Sequence, residues 1–132
     1  MDPVRNIALS GLRVASTRVV VSANNVVNAQ TTAPTTLDAT EPPAAAYQPQ
    51  RVQQAALAYG GVQARAVPVK PGTTTLPDPS SPTGLSAFPN VNLAGEFVDQ
   101  RLAVNAYKAS AALIRTQNEL DASLLDAVDR KE

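Results

Sequence analysis

Residues 101–128 read RLAVNAYKASAALIRTQNELDASLLDAV, and their pattern decides the largest element of the fold. At about 100° per residue, the apolar side chains gather on one stripe and the charged side chains on the opposite face. The stripe comprises Leu102, Ala106, Ala109, Leu113, Leu120 and Leu124, bordered by Val98, Ala127, Tyr107, Ile114 and Leu125. The pattern predicts a long amphipathic helix whose apolar arc spans roughly half the circumference, enough to touch more than one neighbour.

Proline placement divides the chain into three parts. Ten of the 11 prolines lie between Pro34 and Pro89, and the segments 4–33 and 90–132 contain none. Because proline disrupts helix interiors, we expect an N-terminal helix in 1–33, a proline-rich insert in 34–89 and a C-terminal helix in 90–132. The predicted fold class is mainly α, with two long terminal helices forming an antiparallel coiled-coil-like pair around a small β-hairpin and Pro-rich loops.

The N-terminal segment is apolar on two opposite faces. One stripe contains Ala8, Leu12, Ala15, Val19, Ala23 and Val26, and a second contains Ile7, Val14 and Val21. A single partner helix covers only one of these faces. The pattern therefore predicts a second neighbour, which we expect in another molecule. A strand through the valine run 19–21 is the alternative, since β-branched residues are weak helix formers.

The insert contains one clear strand signal. Gly60 and Gly61 separate two runs of strand-like composition, which predicts a hairpin of strands Gln50–Tyr59 and Val62–Val69. A lone two-stranded hairpin is marginally stable, so it has to pack on something else. The flanking stretches 31–46 and 71–89, rich in Pro, Thr, Ala and Ser, are predicted to be loops.

The composition argues against several functional classes. The chain has 11 basic and 11 acidic residues, a balance that disfavours electrostatic binding of nucleic acid or a lipid surface. It contains no Cys and no His, the commonest nucleophilic and metal-binding side chains. The carboxylates are scattered and no glycine-rich phosphate loop occurs. We therefore expect no enzyme, cofactor, metal site or direct lipid anchor, and no cleaved signal peptide.

Motifs near both ends of the chain resemble one protein family. The segment 8–12, ALSGL, followed by the segment 23–31, ANNVVNAQT, resembles the N-terminal signature of bacterial flagellar axial proteins. The segment 89–93, PNVNL, followed by Glu96-Phe97-Val98 and by 106–109, AYKA, resembles the C-terminal signature of the basal-body rod subgroup. The residues between them, with Asp78-Pro79 and the hairpin glycines, look most like the proximal rod proteins.

The resemblance implies a structural role. It implies a subunit of the periplasmic rod in the flagellar basal body, which leaves the cell through the type III export gate without a cleaved signal. The terminal helices would assemble helically around the export channel, and the hairpin would lie further out. The implied partners are copies of this chain, other rod proteins, and basal-body adaptor and membrane-ring or export-gate proteins.

The expected subunit interface combines residues of both terminal helices. These are Ile7, Leu12, Val14, Val19, Val21, Asn24, Asn25, Val26, Asn28, Val98, Leu102, Ala106, Tyr107, Leu113, Ile114, Leu120 and Leu124. For the asparagines, simple helix termination is the alternative to contact with a neighbouring subunit. Gly95, Ser110 and Val27 depart from the family pattern. A soluble amphipathic adaptor that folds on binding a partner protein is the alternative function.

Overall fold

Two long helices and five strands make up the fold. The computed structural model describes residues 3–130, with helices for about 49% and strands for about 20% of them. Helix α1 spans Pro3–Asn28 and helix α2 spans Leu93–Asp129. The strands are β1 (Ala33–Pro34), β2 (Gln50–Ala56), β3 (Val62–Pro68), β4 (Thr73–Pro77) and β5 (Leu85–Pro89). The valine run 19–21 lies within α1, so the strand alternative does not apply.

The prediction of a mainly α fold is wrong, because the insert contains a second sheet. Strands β1, β5 and β4 form a three-stranded antiparallel sheet in the order β1-β5-β4. Ala33 pairs with Ala87 on one side of β5, and Thr75 pairs with Ala87 on the other. Pro34, Pro77 and Pro89 each end a strand, where a missing N–H costs little. The stretches 31–46 and 71–89, predicted to be loops, supply this sheet, and the fold is mixed α/β.

The predicted hairpin is confirmed. Strands β2 and β3 pair in antiparallel register from Gln50 opposite Pro68 to Ala56 opposite Val62. Gly60 and Gly61 turn the chain with φ values of +88° and +89°, a conformation that other residues rarely adopt. The strands are shorter than predicted because residues 57–61 form the connecting loop.

Asp78 organises the loop between β4 and β5. Its carboxylate accepts hydrogen bonds from the Ser80 hydroxyl at 2.5 Å, the Ser86 hydroxyl at 2.7 Å and the Ser80 backbone N–H at 3.0 Å. These bonds favour the ionised form and lower the pKa of Asp78 below its ordinary value of 3.8, with the Ser80 hydroxyl contributing most. The carboxylate therefore stabilises the loop while it is charged.

The two helices pack antiparallel to each other. The Arg5 guanidinium donates to the Asn118 side chain at 2.9 Å, whereas Arg18 pairs with Asp99 at 2.8 Å. As the residue numbers rise along α1, the numbers of the α2 residues that they contact fall, so the two helices run antiparallel. Asn92 begins α2 as its N-cap, and its side-chain oxygen accepts from the Gly95 N–H at 3.2 Å.

Helix α1 is covered on two faces within the chain. Ala8 and Ala15, both almost fully buried, share a stripe with Ser22, whose hydroxyl donates to the Glu96 carbonyl of α2 at 2.9 Å. Val14 and Val21 are buried on the neighbouring face, which packs on the hairpin. At these two valines the second neighbour is therefore the chain's own hairpin, where the sequence led us to expect another molecule.

Candidate interaction surface

The contact between the helices is built from small and polar side chains. Gly11 lies so close to α2 that a Cβ atom there would sit 2.6 Å from the Ser110 hydroxyl oxygen. Ala15 on α1 and Ala103 on α2 are 1% and 0% exposed. Such a close approach leaves no room for leucine at the contact, because protein interiors are densely packed. The large apolar side chains of α2 are therefore kept out of this contact.

The leucines of α2 form an exposed row on another side of the helix. Leu102 lies about 100° of helix rotation away from Ala103, and Leu113, Leu120 and Leu124 lie within about 40° of Leu102 in helix rotation. Leu102, Leu113 and Leu120 retain more than half of their exposed area, at 52%, 53% and 59%. We call this set the leucine row; its members are Leu102, Ala106, Ala109, Leu113, Leu120 and Leu124, all exposed.

The end of α2 runs past the start of α1. Arg5 bonds to Asn118 near the first described turn of α1, and α2 continues to Asp129. We call the segment Glu119–Asp129 the overhang; its eleven residues are about 16 Å long. Every residue in it is exposed, including Leu124 at 69%. This part of α2 has no cover from the rest of the described chain.

Helix α1 also presents an outer row of apolar side chains. Leu9, Val20 and Val27 are exposed and follow one another at spacings of eleven and seven residues. These spacings place them on one face of the helix, away from the contact with α2, and Leu9 borders a groove that also contains Leu57 and Tyr59 of the hairpin loop. Ser16, also exposed, lies on the same face between Leu9 and Val20 and adds only a small hydroxyl. Both terminal helices therefore carry apolar surface that the chain itself leaves uncovered.

Asn25 joins three elements through one buried amide. Its Nδ2 donates to the Gln50 carbonyl and to the Glu96 carboxylate, both at 2.7 Å. Its Oδ1 accepts from the Tyr47 hydroxyl at 2.9 Å and from the Gln50 N–H at 3.1 Å. The side chain is 1% exposed and uses both of its donor hydrogens and both of its acceptor positions. Asn25 thus holds α1, the first turn of α2 and the start of β2 together.

The surroundings of Tyr47 disfavour loss of its phenol proton. Burial, and next the negative charge of Glu96, raise the pKa of the Tyr47 phenol above its ordinary value of 10.0. A phenol is protonated at neutral pH even at its ordinary pKa, so Tyr47 donates its hydrogen to Asn25, and the raised pKa preserves this donor in more alkaline solution. Sequence reasoning missed Tyr47 and Glu96 as partners of Asn25, because pairings across 22 and 71 residues leave no periodic signal.

Ser10 fastens the hairpin to α1. Its hydroxyl donates to the Ile7 carbonyl at 2.6 Å and accepts from the Val62 N–H at 3.0 Å. A Cβ atom on Gly61 would sit 2.7 Å from this hydroxyl oxygen. The adjacent residues Ser10 and Gly11 therefore have separate tasks, one against the hairpin and the other against α2.

The predicted interface residues fall into three groups by burial. Val14, Val21 and Asn25 are buried inside the chain. Leu12, Val19, Val26, Asn28 and Ile114 are half-buried, and Ile7, Asn24, Val98, Leu102, Ala106, Tyr107, Leu113, Leu120 and Leu124 are exposed. Asn28 ends its own helix, since its Nδ2 donates to the Asn24 carbonyl at 2.9 Å. Only the second and third groups are available to a neighbouring molecule.

No group of three potential metal ligands occurs within residues 3–130. A shallow groove between α1 and β2 contains Arg18, Arg51, Glu96 and Asp99, of which Arg18 and Asp99 pair with each other. Neither helix offers an apolar stretch that could cross a membrane over its described length. No protein-family model matches the chain, and neither does any curated protein.

Proposed function

We propose that the protein is a structural subunit of the bacterial flagellar basal-body rod, of the proximal type, and that it polymerises through its terminal helices. The leucine row carries this proposal. It runs along α2 from Leu102 to Leu124, about 33 Å, and each of its members is exposed, although Thr116 and Gln117 separate Leu113 from Leu120. A row of exposed apolar side chains of this length is typical of a protein–protein contact.

The family motifs support the same proposal. Ser10, Gly11 and Asn25, which belong to the resemblance at the N-terminal end, hold the hairpin and α2 against α1. Glu96, from the C-terminal motif, accepts a hydrogen bond from Asn25. The motif residues thus define a fixed subunit frame, and that frame directs the leucine row and the outer row of α1 outward.

The proposal includes neighbours and a location. The leucine row would contact copies of the chain and other rod proteins, with adaptor, membrane-ring or export-gate proteins at the ends of the rod. The location is the periplasmic rod, reached by export without a cleaved signal. Assembly of this kind requires no cofactor and no catalysis.

Charged substitutions in the leucine row test the proposal. Leu113→Asp and Leu120→Asp should prevent incorporation into basal bodies, since each places an unpaired charge in an apolar contact. Both side chains are more than half exposed in the subunit, so folding should be preserved to within about 0.5 kcal/mol. Leu76→Asp, on the exposed face of β4, is the matched control and should incorporate normally.

Purified basal bodies from cells expressing each variant provide the measurement. The proposal predicts that the Leu76 variant co-purifies with the rod while the two α2 variants do not. Normal incorporation of both α2 variants would contradict it. If the unsubstituted chain is absent from basal bodies and instead binds a single protein at fixed stoichiometry, the adaptor alternative is correct.

A further inference from the structure

The overhang of α2 combines an apolar face with a strongly acidic charge. Its apolar side chains are Leu120, Leu124, Leu125, Ala127 and Val128. Glu119, Asp121, Asp126 and Asp129 give four acidic side chains within it and it contains no Lys or Arg, while Arg130, the next residue, pairs with Asp126 at 2.8 Å. Asp121 lies inside the apolar face, between Leu124 and Leu125 in helix rotation, where its carboxylate accepts a hydrogen bond from the Gln117 amide at 3.0 Å and can also meet a basic group. A partner for this segment needs apolar groups with a basic group among them.

The middle of α1 offers that combination. Leu9, Arg13, Ser16 and Val20 follow one another at helical spacings and are all exposed. We call these four residues the acceptor face. Leu9 and Val20 supply its apolar ends, and the small side chain of Ser16 leaves space between them for a leucine of the partner.

Arg13 supplies the basic group of the acceptor face. Helix α1 contains three arginines and no acidic residue. Arg5 and Arg18 have partners on α2, whereas the Arg13 guanidinium forms no ion pair within residues 3–130. Arg13 is therefore the arginine of α1 that can meet a carboxylate of another molecule.

We propose that the overhang of one copy docks on the acceptor face of a second copy, with Asp121 opposite Arg13 and Leu124 near Ser16. The inference rests on the proposed function and deepens it by naming the partner of this part of α2. The lengths agree: Leu120 to Val128 spans about 12 Å and Leu9 to Val20 about 16 Å. The charges agree as well, since a net negative segment meets a net positive helix face.

This contact builds an open chain of subunits. The donor and acceptor surfaces are different parts of the molecule, so a docked pair of copies still has one free overhang and one free acceptor face. Such a heterologous contact continues from copy to copy as a helical polymer unless its rotation closes a ring. The acidic overhang would then be the part of each subunit that contacts the next copy in the chain.

Cysteine cross-linking tests the contact directly, because the chain has no Cys of its own. The full chain carrying Leu124→Cys is mixed with the full chain carrying Ser16→Cys, a near-isosteric change, and oxidised. The mixed disulfide should form, since a disulfide requires Cα atoms less than about 7 Å apart. Thr74→Cys replaces Ser16→Cys in the control, as Thr74 is exposed on β4, outside the acceptor face. We expect about tenfold less cross-link with the control.

Charge reversal supplies a second test. Asp121→Arg or Arg13→Glu alone should weaken copy-to-copy association about tenfold in sedimentation experiments, and the double variant should restore it. Dominant Leu124→Cys homodimers, cross-linking equal to that of the control, or no restoration by the double variant would each overturn the docking proposal.

The same cysteine pair, examined in purified basal bodies, separates the two proposals. A chain present in basal bodies without the mixed disulfide would retain the rod function and overturn the docking. A mixed disulfide between purified copies of a chain absent from basal bodies would retain the docking and overturn the rod function.

Discussion

Replacing Asn25 should destabilise the whole subunit, because its amide holds three elements. Asn25→Ala removes hydrogen bonds of 2.7, 2.7, 2.9 and 3.1 Å in one step. A typical intramolecular hydrogen bond contributes about 1 kcal/mol net, so four set an upper figure of about 4 kcal/mol. Tyr47 and Glu96 are half-exposed and can bond to water instead. Gln50 is exposed as a residue, so water can replace part of its bonding too, and we therefore expect a loss of about 2 kcal/mol in the free energy of unfolding.

Urea unfolding of the purified full chain is the assay. Asn25→Ala should lower the transition midpoint with little change in slope, since the surface exposed on unfolding is nearly the same. Asn24→Ala is the control: Asn24 is exposed on the same turn, and its replacement should alter the free energy of unfolding by about 0.5 kcal/mol or less. Asn25→Asp tests the donor role of the Nδ2 group, because a carboxylate oxygen would take its place and face the Gln50 carbonyl and the Glu96 carboxylate. A loss in the free energy of unfolding for Asn25→Ala no larger than that for Asn24→Ala would refute the reasoning.

Two close contacts and one charged group give three other expected outcomes. Gly11→Leu should lower the free energy of unfolding by about 2 kcal/mol or more, because it forces α1 and α2 apart. Circular-dichroism melting should show that adding Ser110→Ala restores part of this lost stability. Gly61→Ala should lower the free energy of unfolding by at least about 1 kcal/mol, because alanine is strained at the positive φ of this position. Urea unfolding provides the measurement, with Ala64→Gly as a control within the adjoining strand. The pKa of Asp78 is lowered in the folded chain, so its stabilisation is present at neutral pH and is lost as the pH falls through and below 3.8. Asp78→Asn should therefore unfold more easily than the parent chain at pH 7, with a smaller difference at pH 3; an equal difference at both values would contradict the assignment.

The sequence was sufficient to predict the helices and the hairpin. Proline-free ends with helical periodicity indicated α1 and α2, and the Gly60-Gly61 pair indicated the β2–β3 turn. The three-stranded sheet escaped prediction because β1 has two residues and pairs with β5 across more than 50 residues. Prolines at the strand ends made the same segments look like loops, although proline is compatible with that position.

The candidate surface was predicted only in part. Periodicity located the apolar arc of α2 but could not show which edge of it meets α1. Close packing at Gly11 and Ala103 decides this, since only small side chains fit there. The same limit explains Val14 and Val21: an apolar stripe indicates burial, but the covering group, here the hairpin, is known only from the tertiary structure.

A cryo-EM map of purified basal bodies would test the rod assignment most directly. The account predicts that the chain lies in the rod wall and that Leu113, Leu120 and Leu124 come within about 4.5 Å of side chains from neighbouring subunits. A rod built without this chain, or one in which the leucine row faces solvent along its whole length, would contradict the account.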